Sequence, residues 1–332
     1  MLTDAFSRKH DYLRVSITDR CNLRCGYCIP PDGVELISHD EVLRNEEFAR
    51  LIGIFASLGV GKVRFTGGEP LLRKGFLDIV ERTRALCPGL ELCLTTNGIL
   101  LSDYADDLRR LGVRKLNISL DSLSRDTYRA ITGSDVLDRV IDSLERIREM
   151  KCFDVKINVV LFERTVRELD EFLEFFKDRD ATLRFIEKMP FAGTRGSGEF
   201  VPSSRLAGAL AGKGELVRSA GADTAVARMY DFRYRGRFRM RIGIIPPMSG
   251  KFCSSCNRLR LTSDGQLKTC LHSGEDRNVK GLLRAGADDD AIRQAIIGAV
   301  LLKPEAHALD CGSVEGGCAA VVTNALMSRI GG

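Results

Sequence analysis

Residues 21–28 read Cys-Asn-Leu-Arg-Cys-Gly-Tyr-Cys, so three cysteines follow one another with the spacing Cys-x3-Cys-x2-Cys. The sequence has no fourth cysteine or histidine near this run. A structural zinc site normally closes with four protein ligands. A four-iron cluster held by three thiolates keeps one iron free for a non-protein ligand. An incomplete zinc knuckle is the alternative, but the spacing, with Tyr27 before the last cysteine, favours the iron–sulfur cluster.

The segment before this run, Tyr12-Leu-Arg-Val-Ser-Ile-Thr18, is an apolar stretch typical of a strand. Together with the cysteine spacing and Tyr27 it resembles the radical S-adenosylmethionine (SAM) superfamily. The resemblance implies that Cys21, Cys25 and Cys28 hold a [4Fe–4S] cluster whose open iron binds the amino and carboxylate groups of SAM. It also implies that Tyr27 belongs to the SAM site.

Composition and charge narrow the class of protein. The chain has 332 residues, 44% of them hydrophobic and 29% charged, which is typical of a water-soluble globular protein. No run is long and apolar enough for a membrane span, and residues 1–10 lack the core of a signal peptide. We therefore expect a cytoplasmic protein with no membrane partner. In that compartment the eleven cysteines are metal ligands and buried thiols rather than disulfides.

The charge and the histidine content give no support to three further kinds of function. A net charge of +5 is too small to indicate nucleic-acid binding, although it suits an anionic small substrate. Only four histidines occur, which argues against a histidine-driven hydrolase and against a histidine-rich metal site.

The first part of the chain reads as repeated strand–helix units, which predict a parallel sheet. Apolar, β-branched runs predict strands at 12–18, 62–66, 91–96, 115–120, 155–161 and 182–187. Amphipathic patterns predict helices at 39–58, 75–86, 102–111, 136–150 and 166–178. Six such units indicate an α/β fold of the incomplete (β/α)6 TIM-like barrel type rather than a closed eight-unit barrel. In such folds the chemistry gathers at the carboxyl ends of the strands.

The strand–helix rhythm changes after residue 190. A glycine-rich segment follows, and the rest of the chain is a less regular mixture that carries a second set of cysteines. We therefore predict a barrel domain at 1–190 and a smaller C-terminal iron–sulfur domain at 191–332.

Three predicted strand ends carry residues suited to a SAM site. Gly67-Gly68-Glu69-Pro70 follows the second strand, and two glycines allow a ligand to approach the backbone closely. Ser119 ends the fourth strand, and Met189 follows the sixth. The superfamily resemblance implies that Gly68, Ser119 and Met189 contact SAM. The ordinary alternatives are a simple turn for the glycines, a helix cap for Ser119 and a core position for Met189.

The second cysteine set is Cys253, Cys256 and Cys270, again three thiols with one coordination position open. His272 makes a Cys3His zinc site possible. Arg258 and Arg260 lie close after Cys256 and project from one face if that segment is extended. Two guanidinium groups have no evident use beside a structural zinc, whereas they bind phosphate oxygens well. The sequence therefore favours a second cluster next to an anionic substrate.

Both cysteine spacings, the Arg-Leu-Arg run at 258–260 and the terminal Gly331-Gly332 resemble the GTP 3′,8-cyclase family of molybdenum cofactor biosynthesis. The likeness extends from about Tyr12 to the last residue. It implies that Cys253, Cys256 and Cys270 hold a second [4Fe–4S] cluster. It also implies a set of residues that contact GTP, namely Arg14, Arg64, Thr95, Lys156, Arg258 and Arg260. A triphosphate needs several fixed cations, but for any one of these cations taken alone a solvated surface position explains the residue nearly as well.

The same resemblance implies the reaction and its partners. GTP becomes (8S)-3′,8-cyclo-7,8-dihydroguanosine 5′-triphosphate, a lyase reaction, while SAM is cleaved to methionine and 5′-deoxyadenosine. The implied partners are GTP, a flavodoxin- or ferredoxin-like one-electron reductant, a downstream cyclic pyranopterin monophosphate synthase and a second copy of the chain. The glycine tail is implied to reach into the active site. No Walker-type phosphate loop occurs in the sequence.

Two other functions remain compatible with the residues. One is a radical SAM peptide-modifying maturase with an auxiliary cluster, and the other is a non-catalytic iron–sulfur or zinc-stapled protein. Five alternating arginines at 233–241 present one strand face, which we interpret as an exposed hairpin turning near Gly236 rather than an anion-binding stripe. Cys311 and Cys318 have no assigned role.

Overall fold

The structure is a computed structural model that describes residues 1–30, 32–191, 200–219, 226–274, 276–307, 309 and 327–330. Within these ranges the strands are β1 (Tyr12–Ser16), β2 (Lys62–Thr66), β3 (Glu91–Thr96), β4 (Lys115–Ser119), β5 (Asp154–Leu161), β6 (Ala181–Glu187), β7 (Gly214–Arg218), β8 (Arg228–Tyr234), β9 (Phe238–Ile245), β10 (Arg258–Leu261), β11 (Gln266–Lys268) and β12 (Asp276–Asn278). Gly331, Gly332, Cys311 and Cys318 lie outside the described residues.

One sheet joins these strands in the order β12-β11-β10-β1-β2-β3-β4-β5-β6-β9-β8-β7. Strands β1 to β6 are all parallel and follow chain order, as the strand–helix repeat predicted. The sheet stays open because β10 pairs with the free edge of β1 and β9 pairs with the free edge of β6. The predicted α/β fold, an incomplete barrel of six units, is confirmed. The division at residue 190 stays a prediction.

The described helices are α1 (Asn45–Ser57), α2 (Phe76–Leu86), α3 (Leu101–Arg110), α4 (Arg125–Thr132), α5 (Leu137–Met150), α6 (Glu163–Arg167), α7 (Leu169–Phe176), α8 (Ser203–Ala211), α9 (Val279–Arg284), α10 (Asp289–Leu301) and α11 (Met327–Ile330). None of them is both long and apolar enough to cross a bilayer.

Two helix predictions need correction, and one helix of the barrel was not predicted. The helix predicted at 39–58 begins only at Asn45, because the N–H of Leu43 donates to the carbonyl of Ser263 in another part of the chain. The helix predicted at 166–178 is two helices that meet at Glu168, whose carboxylate accepts from Thr127 on α4. The helix without a prediction is α4, which is short and is capped by Ser124.

Side chains along the parallel strands alternate between an apolar face and a polar face of the sheet. One face carries residues such as Leu13, Val15, Val63 and Phe65, all fully buried in the main hydrophobic core. Side chains on alternate positions point to the opposite face. On β1 and β2 that face carries Tyr12, Arg14, Ser16, Lys62, Arg64 and Thr66. The concave interior expected of a barrel is therefore polar and rich in cations.

The C-terminal strands extend both edges of this sheet. Strands β8 and β9 form an antiparallel hairpin whose turn includes Arg235 (φ 49°) and Gly236 (φ 67°). All five alternating arginines of 233–241 are exposed, so the exposed-hairpin interpretation is confirmed. At the other edge β10 runs parallel to β1, with Arg258 beside Tyr12 and Arg260 beside Arg14. This pairing brings the second cysteine set to the barrel.

Candidate functional site

A cavity of about 270 Å³ lies against the polar face of the sheet. It extends from the first cysteine run, at the carboxyl end of β1, to Arg258, at the amino end of β10. The predicted site residues that line it are Cys21, Cys25, Cys28, Tyr27, Gly68, Ser119, Met189, Arg14, Thr95, Arg258 and Arg260. Residues that lie far apart in the sequence are thus brought together in one cavity.

The first cysteine run forms a loop fixed by its own backbone. The N–H groups of Cys28 and Ile29 both donate to the carbonyl of Cys25 at 2.9 Å, and the N–H of Leu23 lies 3.4 Å from the sulfur of Cys21. Burial raises the pKa of the thiols of Cys21 and Cys25, and raises that of Cys28 to about 12. Binding of a metal would displace the protons of these thiols, and three cysteines that line one cavity are a donor set suited to an iron–sulfur cluster with one open iron.

The Gly67–Gly68 turn lies directly on the backbone that leads into this loop. Gly67 has φ 153°, and a Cβ at this position would lie 2.4 Å from the carbonyl oxygen of Thr18. A Cβ at Gly68 would lie 2.3 Å from the carbonyl oxygen of Arg20. The N–H of Gly68 donates to Thr18 at 2.7 Å. Only glycine allows this close approach, so the turn does more than reverse the chain.

Glu69 connects the glycine turn to the end of β3. Its buried carboxylate accepts from the N–H of Asn97 at 2.7 Å and from the hydroxyl of Thr96 at 2.8 Å. Burial raises the pKa of Glu69 to about 7, although these donors and the N–H of Leu71 oppose the rise. The amide of Asn97 in turn donates to Asn22 at 2.7 Å, inside the cysteine run. Glu69 therefore positions the loop without contacting a cysteine.

The four residues predicted to bind SAM surround the cysteine loop. The hydroxyl of Tyr27 donates to Asp121 at 2.6 Å, and the other oxygen of Asp121 accepts from the N–H of Val160 at 2.8 Å. Ser119 lines the cavity, and the cap of the next helix is Ser124, so the capping alternative for Ser119 is wrong. Met189 is half-buried at the cavity wall, so the core alternative is also wrong.

Three arginines occupy one row across neighbouring strands. The register places Arg260 of β10 beside Arg14 of β1, and Arg14 beside Arg64 of β2. All three are buried. Burial, with the nearby charges of Arg260 and Arg258, lowers the pKa of Arg14 to about 9, and burial with Arg258 lowers that of Arg260 to about 10. Such a row is costly without a bound anion and well suited to a phosphate chain.

Two predicted GTP residues lie outside the cavity wall. The Nε of Arg64 donates to the hydroxyl of Tyr12 at 2.7 Å, and its Nη1 donates to the carbonyl of Leu94 at 2.5 Å. The ammonium group of Lys156 pairs with Asp154 at 3.0 Å. In this arrangement Arg64 and Lys156 support the floor of the site rather than face its space.

The structure adds residues that the sequence analysis did not select. Arg184, Asn117 and Asn158 line the cavity on β6, β4 and β5. The Nε of Arg184 and of Arg260, the Oδ1 of both asparagines and the Oγ1 of Thr95 are buried and have no hydrogen-bond partner among the described residues. Buried polar atoms normally have partners, so this pattern indicates a polar ligand. Alternation along β6 is the sequence signal that finds Arg184.

The second cysteine set lies at the opposite end of the sheet from the first. Cys253 and Cys256 precede β10, and the antiparallel pairing of Arg260 with Lys268 brings Cys270 back to the same end. Strand β1, which separates the two ends, has five residues, or about 16 Å at about 3.3 Å per residue. Phe252, Arg258 and Leu271, which neighbour these cysteines in the chain, line the cavity.

His272 is the fourth candidate ligand in the zinc alternative for this set, and both of its ring nitrogens are buried without a hydrogen-bond partner among the described residues. His272 packs its ring against Phe191 and His307, with ring centroids 5.4 and 5.7 Å apart. In the described ranges no three histidine, cysteine, aspartate or glutamate side chains are arranged to hold a single metal ion. A four-iron cluster makes a different demand, because each thiolate binds its own iron. Three thiols with one open coordination position suit such a cluster, and the second cluster stays a prediction.

Comparisons with known proteins agree with this picture. Residues 15–176 match the Radical SAM superfamily, and residues 181–309 match the family described as Molybdenum Cofactor Synthesis C. The chain is 38% identical over 310 residues to the GTP 3′,8-cyclase of Listeria monocytogenes, covering 92% of each chain. It is 40% identical over 318 residues to the GTP 3′,8-cyclase of Geobacter sulfurreducens, covering 95% of this chain and 96% of that one.

Two further proteins extend the comparison. Molybdenum cofactor biosynthesis protein 1 of Dictyostelium discoideum is 40% identical over 311 residues, which are 93% of this chain and 49% of that protein. Among solved structures, Streptococcus suis SuiB bound to S-adenosylmethionine has a TM-score of 0.61 at 14% identity, covering 90% of this chain and 72% of that one. At this identity the SuiB likeness concerns the fold alone.

Proposed function

Because the chain belongs to the GTP 3′,8-cyclase family of the radical SAM superfamily, we propose that the cavity between its two cysteine sets is where GTP is cyclised. The protein is a radical SAM enzyme of molybdenum cofactor biosynthesis that uses SAM, a [4Fe–4S] cluster and GTP. Beyond this, we propose roles for individual residues, a second cluster, and three protein partners: a reductant, a downstream synthase and a second copy of the chain.

The SAM end of the cavity is the cysteine loop. Cys21, Cys25 and Cys28 would hold the cluster, which with SAM supplies the radical that removes hydrogen from C3′ of GTP. The backbone at Gly68 would receive the amino group of SAM, while Ser119 and Met189 would contact the rest of the molecule. Tyr27, fixed by its hydrogen bond to Asp121, would close one side of this end. These residues bind and orient SAM, and they exclude water from its radical.

The GTP end is the cationic floor. A triphosphate placed along the row of Arg260 and Arg14 would receive bidentate hydrogen bonds, and its charge would offset the repulsion between them. Arg258 lies at the cavity edge and faces the ring of Phe252 at 5.8 Å. Thr95, Arg64 and Lys156 would complete the site directly or by supporting it. The row of buried arginines is the single observation that most supports an anionic nucleotide here.

Cys253, Cys256 and Cys270 would hold a second [4Fe–4S] cluster at the GTP end. We assign the reaction to the lyases, since C3′ loses a hydrogen atom and then adds to the double bond of guanine at C8, which closes a ring without hydrolysis; one external electron quenches the resulting radical. The enzyme would receive electrons from a flavodoxin- or ferredoxin-like reductant and pass its product to a cyclic pyranopterin monophosphate synthase. We further propose that it acts as a homodimer in the cytoplasm.

An anaerobic assay tests this proposal. Protein reconstituted with iron and sulfide is incubated with SAM, GTP and dithionite, and the products are separated and identified by mass. We expect 5′-deoxyadenosine and a cyclised guanosine triphosphate product to form together and in equal amounts. ATP in place of GTP serves as the matched control. Formation of 5′-deoxyadenosine without a cyclised product under all these conditions contradicts the proposal.

A further inference from the structure

Lys303, just after α10, places a buried ammonium group beside the second cysteine set. Lys303 is only 3% exposed to solvent. Its Nζ lies 3.7 Å from the sulfur of Cys256 and 3.5 Å from the carbonyl oxygen of the same residue. It also donates to the carbonyl of Arg258 at 2.8 Å. One cation therefore contacts both a predicted cluster ligand and the start of β10.

A network from the first ten residues holds this lysine in place. The Nδ1 of His10 lies 3.5 Å from the Nζ of Lys303, and its Nε2 lies 3.0 Å from a carboxylate oxygen of Asp4. Because Lys303 can only donate, Nδ1 is the acceptor, and Nε2 carries the proton that His10 donates to Asp4. Asp4, His10 and Lys303 are all buried. The chain of contacts is therefore fixed in one arrangement.

The same network reaches a second cysteine of the set. The Nε of Arg8 donates to Asp4 at 2.6 Å, and its Nη1 donates to the carbonyl of Cys253 at 2.9 Å. Segments some 245 positions apart in sequence thus converge on the two cysteines before β10. Neither Arg8 nor His10 contacts the cavity, so substrate binding does not explain the network.

A buried cation requires a compensating negative group. Within the described ranges no carboxylate forms an ion pair with Lys303, and Asp4 is already engaged by Arg8 and His10. The sulfur of Cys256 is the atom that supplies negative charge when it is a metal-bound thiolate. Hydrogen bonds to cluster sulfurs and nearby charges set the reduction potential of iron–sulfur clusters.

We propose that Lys303 is a positioning residue that orients Cys256 through its N–H···S hydrogen bond and, by its charge, raises the reduction potential of the cluster that Cys256 binds. This inference rests on the proposed second cluster. A positive group beside the sulfur stabilises the reduced form, which carries more negative charge than the oxidised form. Arg8, His10 and Asp4 keep that group at the sulfur instead of letting it reach solvent.

The test is a redox titration of the reconstituted holoenzyme followed by electron paramagnetic resonance. The signal of the second cluster is assigned by comparison with Cys25→Ala protein, which lacks the first. In Lys303→Met we expect full iron content and a lower reduction potential of the second cluster. At a fixed potential the ratio of reduced to oxidised second cluster should fall about tenfold, which corresponds to a decrease of about 59 mV for a one-electron couple. Lys303→Arg, which keeps the charge, should restore most of the wild-type value.

The possible outcomes separate this inference from the proposal beneath it. About eight irons per chain with an unchanged second-cluster potential in Lys303→Met contradicts the inference alone. About four irons in the wild-type protein contradicts the second cluster, and the inference falls with it. If Lys303→Met loses cluster iron, the reduction potential is measured in Lys303→Gln instead, because glutamine keeps a hydrogen-bond donor without the positive charge. A potential in Lys303→Gln equal to that of the wild type overturns the proposed tuning, and a lower one supports it.

Discussion

Arg14 and Arg260 lie directly opposite each other on the neighbouring parallel strands β1 and β10. Such strands are about 4.8 Å apart, and both residues are buried. Each guanidinium group therefore loses water and faces a like charge. The lowered pKa values of Arg14 and Arg260 express this cost. In the proposed GTP site a bound triphosphate would offset this cost, which would link the register of two strands to the choice of substrate.

Replacing Arg260 with glutamine should weaken GTP binding by about 1.5–3 kcal/mol, the scale of a charged hydrogen bond. The thermal midpoint of the protein without GTP should not fall, because a buried repulsion is removed. Anaerobic calorimetry measures the affinity, and differential scanning fluorimetry measures the midpoint. Arg239→Gln is the control, since Arg239 is exposed on β9. Equal GTP affinity in Arg260→Gln and the wild type would show that Arg260 does not bind the triphosphate.

The two cysteine sets should lose iron independently. Cys25→Ala should remove roughly half of the iron and abolish SAM cleavage, because its set lies at the SAM end. Cys256→Ala should remove the other half and abolish cyclised product, while some uncoupled SAM cleavage persists. Iron analysis and chromatography of 5′-deoxyadenosine give both readings. Cys152→Ala should keep all iron. Complete iron loss from either cluster variant would indicate one shared cluster.

Gly68→Ala should disrupt the first cysteine loop. The added methyl group would lie 2.3 Å from the carbonyl oxygen of Arg20 and 2.8 Å from that of Asp19, so the backbone must move. We expect iron to fall by about half and stability to fall by about 1–3 kcal/mol.

Gly53→Ala is the matched control for this change. Gly53 lies within α1, and a Cβ there meets no atom within 4 Å. Alanine should stabilise that helix by up to about 1 kcal/mol and leave iron unchanged. Chemical denaturation and iron analysis measure both variants. A Gly68→Ala protein with full iron and wild-type stability would mean that the loop tolerates the displacement.

Glu69 should make the stability of the protein pH-dependent. Burial raises its pKa from 4.5 to about 7, so the folded protein binds a proton more tightly than the unfolded chain. The contribution of this proton to the free energy of unfolding is fully present below about pH 4.5 and is lost as the pH rises through about 7. The full effect is on the order of 3 kcal/mol. Urea denaturation between pH 5.5 and 8 should show stability falling with pH.

Glu69→Gln cannot titrate at this position, so it should remove that slope even if it is less stable overall. Glu46→Gln, on the exposed side of α1, is the control and should keep the wild-type slope. Parallel pH profiles for the wild type and Glu69→Gln would show that the carboxylate is ionised throughout this range.

The strands of the barrel were predicted within two residues because their pattern is strong. Runs such as 155–161 carry Val and Ile at alternate positions, and a strand with one face buried in the core favours that pattern directly. Helix ends were less predictable. The true start of α1 depends on the bond from Leu43 to Ser263, a contact between segments far apart in sequence that no local pattern records.

The sequence by itself determined the chemistry of the site: two sets of three thiols, a glycine turn and an excess of arginine, because ligand type and spacing are properties of the chain. The tertiary structure alone decided which arginines act together. The pairing of β10 with β1 puts Arg260 beside Arg14, and alternation on β6 adds Arg184 to the same cavity. It also turned Arg64 and Lys156 towards protein partners. Strand pairing across long separations depends on collective packing, which local sequence patterns do not encode.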